Sequence, residues 1–269
     1  MSYVFWNARQ RVIAELAETI AATYFKKAPI EPALIADEEG ISYCYGHYQN
    51  SFDGLLHCQE EHFHIFLNLD RLGERDWPRT RFTFGHELGH YFIDEHRNEL
   101  LSGKTPAHPS FNKLFQKNPV EIEADYFASC LLMPADFFRN FCVRSILNEA
   151  LLENLSKHFQ TSLSSTIFRY YNLNISPIAI IMSKAGKVEK VMATSDFKFW
   201  GRPVKGSPIP PTTVAGEYYT QGKKYDSTEQ LFADDWFTDK NAEQIQLYEK
   251  CYYLANNSVI SLIWIKERY

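Results

Sequence analysis

Residues 79–96 read RTRFTFGHELGHYFIDEH and predict the central helix of the protein. Its apolar residues recur with the period of a helix and form one face: Phe84, Leu88, Tyr91 and Phe92. Positions 86–90 have the pattern HExxH. Residues four apart on a helix differ by only about 40° around the axis, so His86 and His90 project from one face. They can share one metal ion, with Glu87 beside the ion and able to take a proton from water.

The HExxH pattern also arises by chance in ordinary helices. From average residue usage, a chain of this length carries one with a frequency on the order of one per cent. Here the helical period and the strand-like run before it favour a metal site over an accidental pair of histidines.

A hydrolytic zinc site needs a third protein ligand and one open position, and two residues compete for that role. His96 has the spacing of HExxHxxGxxH, but that pattern reverses the chain at its glycine, where this sequence has Ile93. On a continuing helix, His96 would lie about 280° around the axis and roughly 15 Å along it from His86. We therefore expect a surface histidine whose replacement by alanine leaves metal binding nearly unchanged.

Glu121 is the stronger candidate for the third ligand. It lies in residues 120–134, VEIEADYFASCLLMP, with Asp125 one helical turn later. One carboxylate can bind zinc while the other accepts a hydrogen bond from a ligating histidine and fixes its tautomer. Glu123 is expected to be a solvated charge. Small residues on the two helices would permit the close approach that this site needs: Gly89, Ala124 and Ala128.

The HELGH motif, preceded by RxRFTxG and followed by ExxADxFAxxLLMP, resembles the ImmA/IrrE family of metallopeptidases. The resemblance is strong over residues 62–135 and looser to about residue 173. It implies that His86, His90 and Glu121 are zinc ligands and that Glu87 is the catalytic base. Asp125 then corresponds to the aspartate that holds a ligating histidine in gluzincin-like sites.

The same resemblance implies an activity and a substrate class. The chain would be a zinc-dependent endopeptidase that hydrolyses a helix-turn-helix transcriptional repressor and so releases stress or mobile-element genes. Two rival functions stay open: a regulatory protein that docks to a repressor or toxin without catalysis, and a DNA-binding regulator.

The expected fold class is α+β. We predict a zincin-like core, in which the active-site helix packs on a small antiparallel sheet formed by runs 40–45, 54–58 and 63–68. A helical middle segment follows, with helix-turn-helix-like helices at 149–171. Composition changes after Ser176-Pro177, which places a boundary near residue 174. Residues 1–174 would form the metallopeptidase domain, and residues 175–269 a β-rich domain that regulates the site or shapes its cleft.

Composition restricts the location and the partners. The net charge is −5, which argues against electrostatic attraction of the whole protein to nucleic acid. The five cysteines form no CxxC pair and suit a reducing cytosol. The N-terminal stretch is amphipathic, unlike a signal peptide, and no apolar run is long enough to span a membrane. We expect a cytoplasmic protein that binds no membrane, and the charge disfavours DNA binding without excluding a local basic patch.

Three weaker signals accompany these motifs. Arg169 is almost the only cation of the second helix-turn-helix-like segment, which opens at Ser162, whereas a DNA-reading helix needs several. Histidines on the strand-like runs could form a second metal site, although polar outward positions of a half-solvated sheet explain them as well: His47, His57, His62 and His64. Polar residues that could stabilise an oxyanion are Tyr91, His108 and Tyr126.

Overall fold

The computed structural model describes residues 8–103, 109–111 and 118–265. The chain divides into two compact units between Arg169 and Tyr170. The boundary predicted near residue 174 stays a prediction for the limits of the domains.

The first unit is mainly helical. Its helices are α1 (Ala8–Tyr24), α2 (Pro32–Glu38), α3 (Leu69–Leu72), α4 (Pro78–Phe92), α5 (Asp94–Leu101), α6 (Pro119–Leu132), α7 (Ala135–Cys142), α8 (Glu149–Phe159) and α9 (Leu163–Asn172), of which α9 runs into the second unit. Its strands are β1 (Ser42–Gly46), β2 (Gly54–Gln59) and β3 (His62–Asn68).

Local sequence explains where the two central helices begin. Pro78 opens α4 and Pro119 opens α6, positions where the missing N–H costs nothing because no helical partner exists for it. Asn118 caps α6, since its side chain accepts a hydrogen bond from the backbone N–H of Val120 at 3.2 Å. These starts fix which side chains of each helix face the other.

Helix α4 ends earlier than the sequence predicts. The helical pattern suggested a helix to about residue 97, but Ile93 has φ −77° and ψ 109°, an extended conformation, and α5 begins at Asp94. The chain therefore changes direction after Phe92 without a glycine. The side chain of Ile93 is buried in the core of the unit, which compensates for the interrupted helix.

The small sheet is mixed, with the strand order β1-β3-β2. β2 and β3 form an antiparallel hairpin whose turn residues Glu60 and Glu61 both have positive φ. β1 pairs with the other edge of β3 and runs parallel to it. The predicted antiparallel sheet is confirmed for the hairpin and wrong for β1, because the strand that follows β1 in sequence pairs with β3 and not with β1.

The second unit is built on a five-stranded antiparallel sheet with the order β5-β4-β8-β7-β6. Its elements are β4 (Ile178–Lys184), β5 (Lys187–Ala193), α10 (Val214–Gln221), β6 (Glu229–Phe232), β7 (Gln246–Leu254) and β8 (Ser258–Ile265). Tight turns at 185–186 and 256–257, all with positive φ, join the two hairpins. The predicted α+β class with a β-rich C-terminal part is confirmed.

A buried carboxylate joins α10 to this sheet. Glu249 of β7 accepts hydrogen bonds from the backbone N–H of Val214 at 3.0 Å and from the indole N–H of Trp236 at 3.0 Å. The thiol of Cys251 donates to it at 3.2 Å. Burial raises the pKa of Glu249, and these donors oppose the rise. The carboxylate thus accepts a hydrogen bond from a backbone N–H at the start of α10 that has no partner within the helix.

Candidate metal centre

Helices α4 and α6 approach closely because their facing residues are small. A Cβ on Gly89 would lie 3.1 Å from the ring of Phe127 and 3.2 Å from the Cα of Ala124. A Cβ on Gly85 would lie 3.4 Å from the Cβ of Ala128. The close approach predicted from these residues is confirmed, and it lets a side chain of α6 reach the histidines of α4.

His86, His90 and Glu121 converge on one point. The two Nε2 atoms lie 3.0 Å apart, and each lies 3.4 Å from an oxygen of the Glu121 carboxylate. Ligands at zinc bond lengths in a tetrahedral arrangement lie about 3.3 Å apart. All three side chains are buried, and together they could hold a metal ion. The donor set of two imidazoles and one carboxylate suits zinc.

The second nitrogen of each imidazole faces a polar partner. His86 Nδ1 lies 2.9 Å from Oδ1 of Asp125, as the sequence suggested for that carboxylate. His90 Nδ1 lies 3.2 Å from Nδ1 of His96. With both Nδ1 atoms engaged in this way, both Nε2 atoms point toward Glu121. Partners of this kind fix the tautomer and the orientation of metal-binding histidines.

His96 and Glu123 differ from their expected placement. His96 is only 6% exposed, so the expectation of a surface histidine is wrong, although its ring contacts His90 on the side away from Glu121. His96 Nε2 lies 3.3 Å from Glu123, which in turn pairs with Arg9 at 2.7 Å, so Glu123 is not a solvated charge. The change of direction at Ile93 brings His96 here, and the sequence carried no local signal for it.

Glu87 lies beside the converging side chains without joining them. Its side chain is 1% exposed, and neither carboxylate oxygen forms a hydrogen bond of normal geometry with a described residue. Gly54 of β2 makes room for it, since a Cβ there would lie 2.5 Å from Glu87 Oε1. Burial raises the pKa of Glu87 to about 7, while His86 and Ser110 oppose the rise. A carboxylate in this state can both accept and return a proton near neutral pH.

The pKa values of the two imidazoles are shifted in opposite directions, and the pKa of Glu121 is lowered. Burial lowers the pKa of His86, but hydrogen bonds with Asp125 and Glu121 outweigh burial and raise that pKa to about 10. Burial and the neighbouring His86 lower the pKa of His90 to about 3. Burial raises the pKa of Glu121, yet its bonds with both histidines hold that pKa well below the usual range. Without a metal ion, a protonated His86 thus faces the Glu121 carboxylate, and a divalent ion would replace the proton of His86.

The other candidate residues contact groups outside this cluster or lie outside the described part of the chain. Tyr91 packs edge-on against Phe63, and Tyr126 interacts with Cys130. His108 lies outside the described residues. Of the four histidines on the strands, His47, His62 and His64 contact Asp70, the Glu60 carbonyl and Ser42, respectively. The fourth, His57, packs edge-on against Phe66. Among the described residues, His86, His90 and Glu121 are the only group of three or more converging metal-binding side chains.

A helix that carries HExxH, packed on a small sheet and joined by a glutamate from a second helix, defines a metallopeptidase type of site. The comparisons with known proteins agree with this class. Residues 52–171 match the peptidase M78 family model described as the IrrE N-terminal-like domain. The chain therefore carries a domain of the ImmA/IrrE type, as the motifs predicted.

A solved structure shares the fold of nearly the whole chain. A Mycobacterium tuberculosis transcriptional regulator superposes with a TM-score of 0.61 at 13% identity, and the match covers 95% of this chain and 76% of that one. At this identity the likeness shows the fold alone. No curated protein matches the sequence. Within the described residues, no helix is long and apolar enough to cross a membrane.

Proposed function

We propose that this protein is a zinc-dependent endopeptidase whose metal is held by His86, His90 and Glu121. The observation that supports this most directly is the spacing of the three donors, 3.0 Å and twice 3.4 Å, which suits a single small cation. When bound, zinc polarises the scissile carbonyl and acidifies a water molecule.

In this mechanism, residues of the chain transfer the protons and orient the metal-binding side chains. Glu87, buried beside the donors, accepts the proton of the attacking water and then delivers it to the departing amine. Asp125 holds His86, and His96 holds His90, so that both Nε2 atoms stay directed at the ion. Gly54 allows the Glu87 carboxylate to occupy this position, because a Cβ there would collide with Oε1.

The proposed substrate is a helix-turn-helix repressor in the cytoplasm, whose cleavage would release stress-response genes. The resemblance of residues 52–171 to the IrrE N-terminal-like domain supports this substrate class. On this proposal residues 1–174 carry the catalysis and residues 175–269 regulate it or shape the cleft.

DNA binding by the helix-turn-helix-like helices is the weaker alternative. The turn exists, since Gln160 ends α8 in the left-handed region and Ser162 accepts from the Ser165 backbone to start α9. The only cation of α9, however, is Arg169, which is fully buried and bonded to Glu18 at 2.7 Å and to the Met133 carbonyl at 2.8 Å. It holds α1, α6 and α9 together and is unavailable to phosphates.

The test uses the transcription factor encoded next to this protein. The zinc-loaded chain is incubated with that factor, and fragments are mapped by mass spectrometry. A defined cut with the wild type, absent with Glu87→Gln, supports the proposal. An uncut factor argues against this substrate, and a cut made equally by Glu87→Gln excludes Glu87 as the base. If the wild type and Glu87→Gln both relieve repression in cells, the function is docking to the repressor without catalysis.

A further inference from the structure

Cys44 lies on the outer face of the small sheet. Side chains alternate between the two faces of a strand. Tyr43 and Tyr45 of β1 point inward, where both rings contact Phe84 of α4. Cys44, between them, therefore points outward, and it is half-buried. His64 of β3 reaches it from the neighbouring strand.

A directed chain of hydrogen bonds links the thiol to the backbone. His64 Nε2 lies 3.3 Å from Cys44 Sγ, and His64 Nδ1 lies 2.6 Å from Ser42 Oγ. The Ser42 hydroxyl lies 3.2 Å from the Phe63 carbonyl, which can only accept, and it donates there. Ser42 then accepts from His64 Nδ1–H, so Nε2 carries the lone pair and accepts the hydrogen of the thiol.

Tyr48 can stabilise the thiolate, since its hydroxyl lies 3.3 Å from Cys44 Sγ and can donate to the sulfur once the proton has left. Burial, together with His57 on the adjacent strand, lowers the pKa of His64. This shift keeps the imidazole neutral near pH 7, with its lone pair free to accept the thiol hydrogen, but it also makes the imidazole a weaker base, so the proposal rests on the geometry of the three groups.

We propose that Cys44 is a reactive thiol, activated by His64, at which small peroxides and other electrophiles modify this protein. A nucleophile within hydrogen-bonding distance of a base, with the base oriented by a third group, is the arrangement that activates side chains in nucleophilic chemistry. Cys44, His64 and Ser42 have these three roles. This site is separate from the metal centre and does not depend on the proposed peptidase activity.

The reaction with a peroxide is balanced by groups already present. His64 takes the thiol proton, and the thiolate sulfur attacks one peroxide oxygen, so an S–O bond forms and the O–O bond breaks. Sulfur is oxidised by two electrons and the peroxide is reduced. The departing oxygen takes the proton from His64 and leaves as water or an alcohol. The product is a sulfenic acid on Cys44, which thiols can reduce.

Cys58 provides a matched control within the same sheet. It is also a half-buried free cysteine, but its side chain packs against the inner core of the first unit. The wild-type protein is treated with a limiting amount of iodoacetamide at neutral pH, and each cysteine-containing peptide is quantified by mass spectrometry. Cys44 is expected to react at least about tenfold faster than Cys58, because His64 lies within hydrogen-bonding distance and can take the thiol proton. Equal rates, or a faster Cys58, would overturn the proposal.

Two variants test the roles of the neighbours. His64→Gln keeps a polar group at the position but cannot accept the thiol proton, and it should slow Cys44 about tenfold. Ser42→Ala should slow it less, because the imidazole loses only its orientation. Both residues lie at exposed or half-buried positions, and circular dichroism checks the fold. An unchanged Cys44 rate in folded His64→Gln would contradict the activation by His64.

A second readout uses hydrogen peroxide followed by dimedone, which traps sulfenic acids. The adduct is expected on the Cys44 peptide and absent from Cys44→Ser. A dimedone adduct confined to other cysteines would also overturn the proposal.

Discussion

Two buried glutamates, one in each unit, differ in what surrounds their carboxylates. Glu249 in the second unit accepts from a helix start, an indole and a thiol, and each contact is 3.0–3.2 Å long. Glu87 in the first unit is equally buried, yet no hydrogen bond of normal geometry to the described residues engages its oxygens. A buried carboxylate is costly unless it is bonded.

The difference separates a structural carboxylate from a chemical one. The carboxylate oxygens of Glu249 accept hydrogen bonds from the protein itself, so few of their lone pairs are left for a ligand. The oxygens of Glu87 can still accept hydrogen bonds from a ligand, and they lie beside three converging metal-binding groups. Burial raises the pKa of Glu87 to about 7. Groups that the fold leaves unsatisfied at a cleft are the ones that substrate or metal can satisfy. The four predictions below test this distinction.

Glu87→Gln should produce the largest effect on catalysis. The amide can still bond water but cannot take its proton, so peptidase activity should fall by roughly 10²- to 10⁴-fold. Zinc content, measured by atomic absorption, should stay at one equivalent because Glu87 is not a ligand. Glu99→Gln, an exposed change on α5, is the control. Wild-type activity in Glu87→Gln would show that Glu87, like Glu249, has no catalytic role, and it would contradict the proposed mechanism.

Glu121→Ala should weaken metal binding by more than about 100-fold, because it removes a ligand and not merely a partner of one. The measurement is competition for zinc against a chromophoric chelator. Asp136→Ala, an exposed carboxylate on α7, should bind zinc as the wild type does. Unchanged affinity in Glu121→Ala would show that this carboxylate, like Glu249, serves the fold.

Much of the metal centre follows from the sequence, because its determinants are local. Positions 86 and 90 share a helix face by periodicity alone, and small residues at 89, 124 and 128 forecast the close approach of α4 to α6. The roles of His96 and Glu123 do not follow, because they depend on a break at Ile93 that only tertiary packing dictates.

The same limit applies to the fold. Four strands of the second unit, β4, β5, β7 and β8, are rich in β-branched and aromatic residues and lie next to turn residues, a pattern that favours the predicted β-rich domain. Helix α10 and strand β6 have no such pattern. Helix α10 begins where Glu249, distant in sequence, accepts from its first N–H groups. β1 likewise shows no sequence signal for its parallel partner. Local patterns predict elements, and pairings between distant residues stay hidden from them.

Asp125→Asn and His96→Ala should each weaken zinc affinity by about 10- to 100-fold, less than Glu121→Ala. Each removes the group that orients one metal-binding imidazole. For His96 this replaces the expectation of no effect, since its ring lies 3.2 Å from His90. His96→Gln should recover part of the loss because its amide oxygen can accept from His90 Nδ1–H. His62→Ala, an exposed histidine, is the control, and wild-type affinity in His96→Ala would show that its contact with His90 is incidental.

Glu249→Gln should have the smallest effect and should act only on stability. Both oxygens of Glu249 face donors, since Oε2 accepts from Val214 and Trp236 and Oε1 accepts from Cys251. An amide must turn its own N–H₂ toward one of these sets, which leaves a buried donor without an acceptor. The expected loss is about 1 to 2 kcal/mol in urea unfolding followed by tryptophan fluorescence. Glu243→Gln, an exposed change nearby, should stay within about 0.5 kcal/mol of the wild type. Zinc affinity should not change in either variant, because Glu249 has no part in the metal centre. A Glu249→Gln protein that keeps full stability but loses zinc would reverse the assignment of structural and chemical carboxylates to the two units.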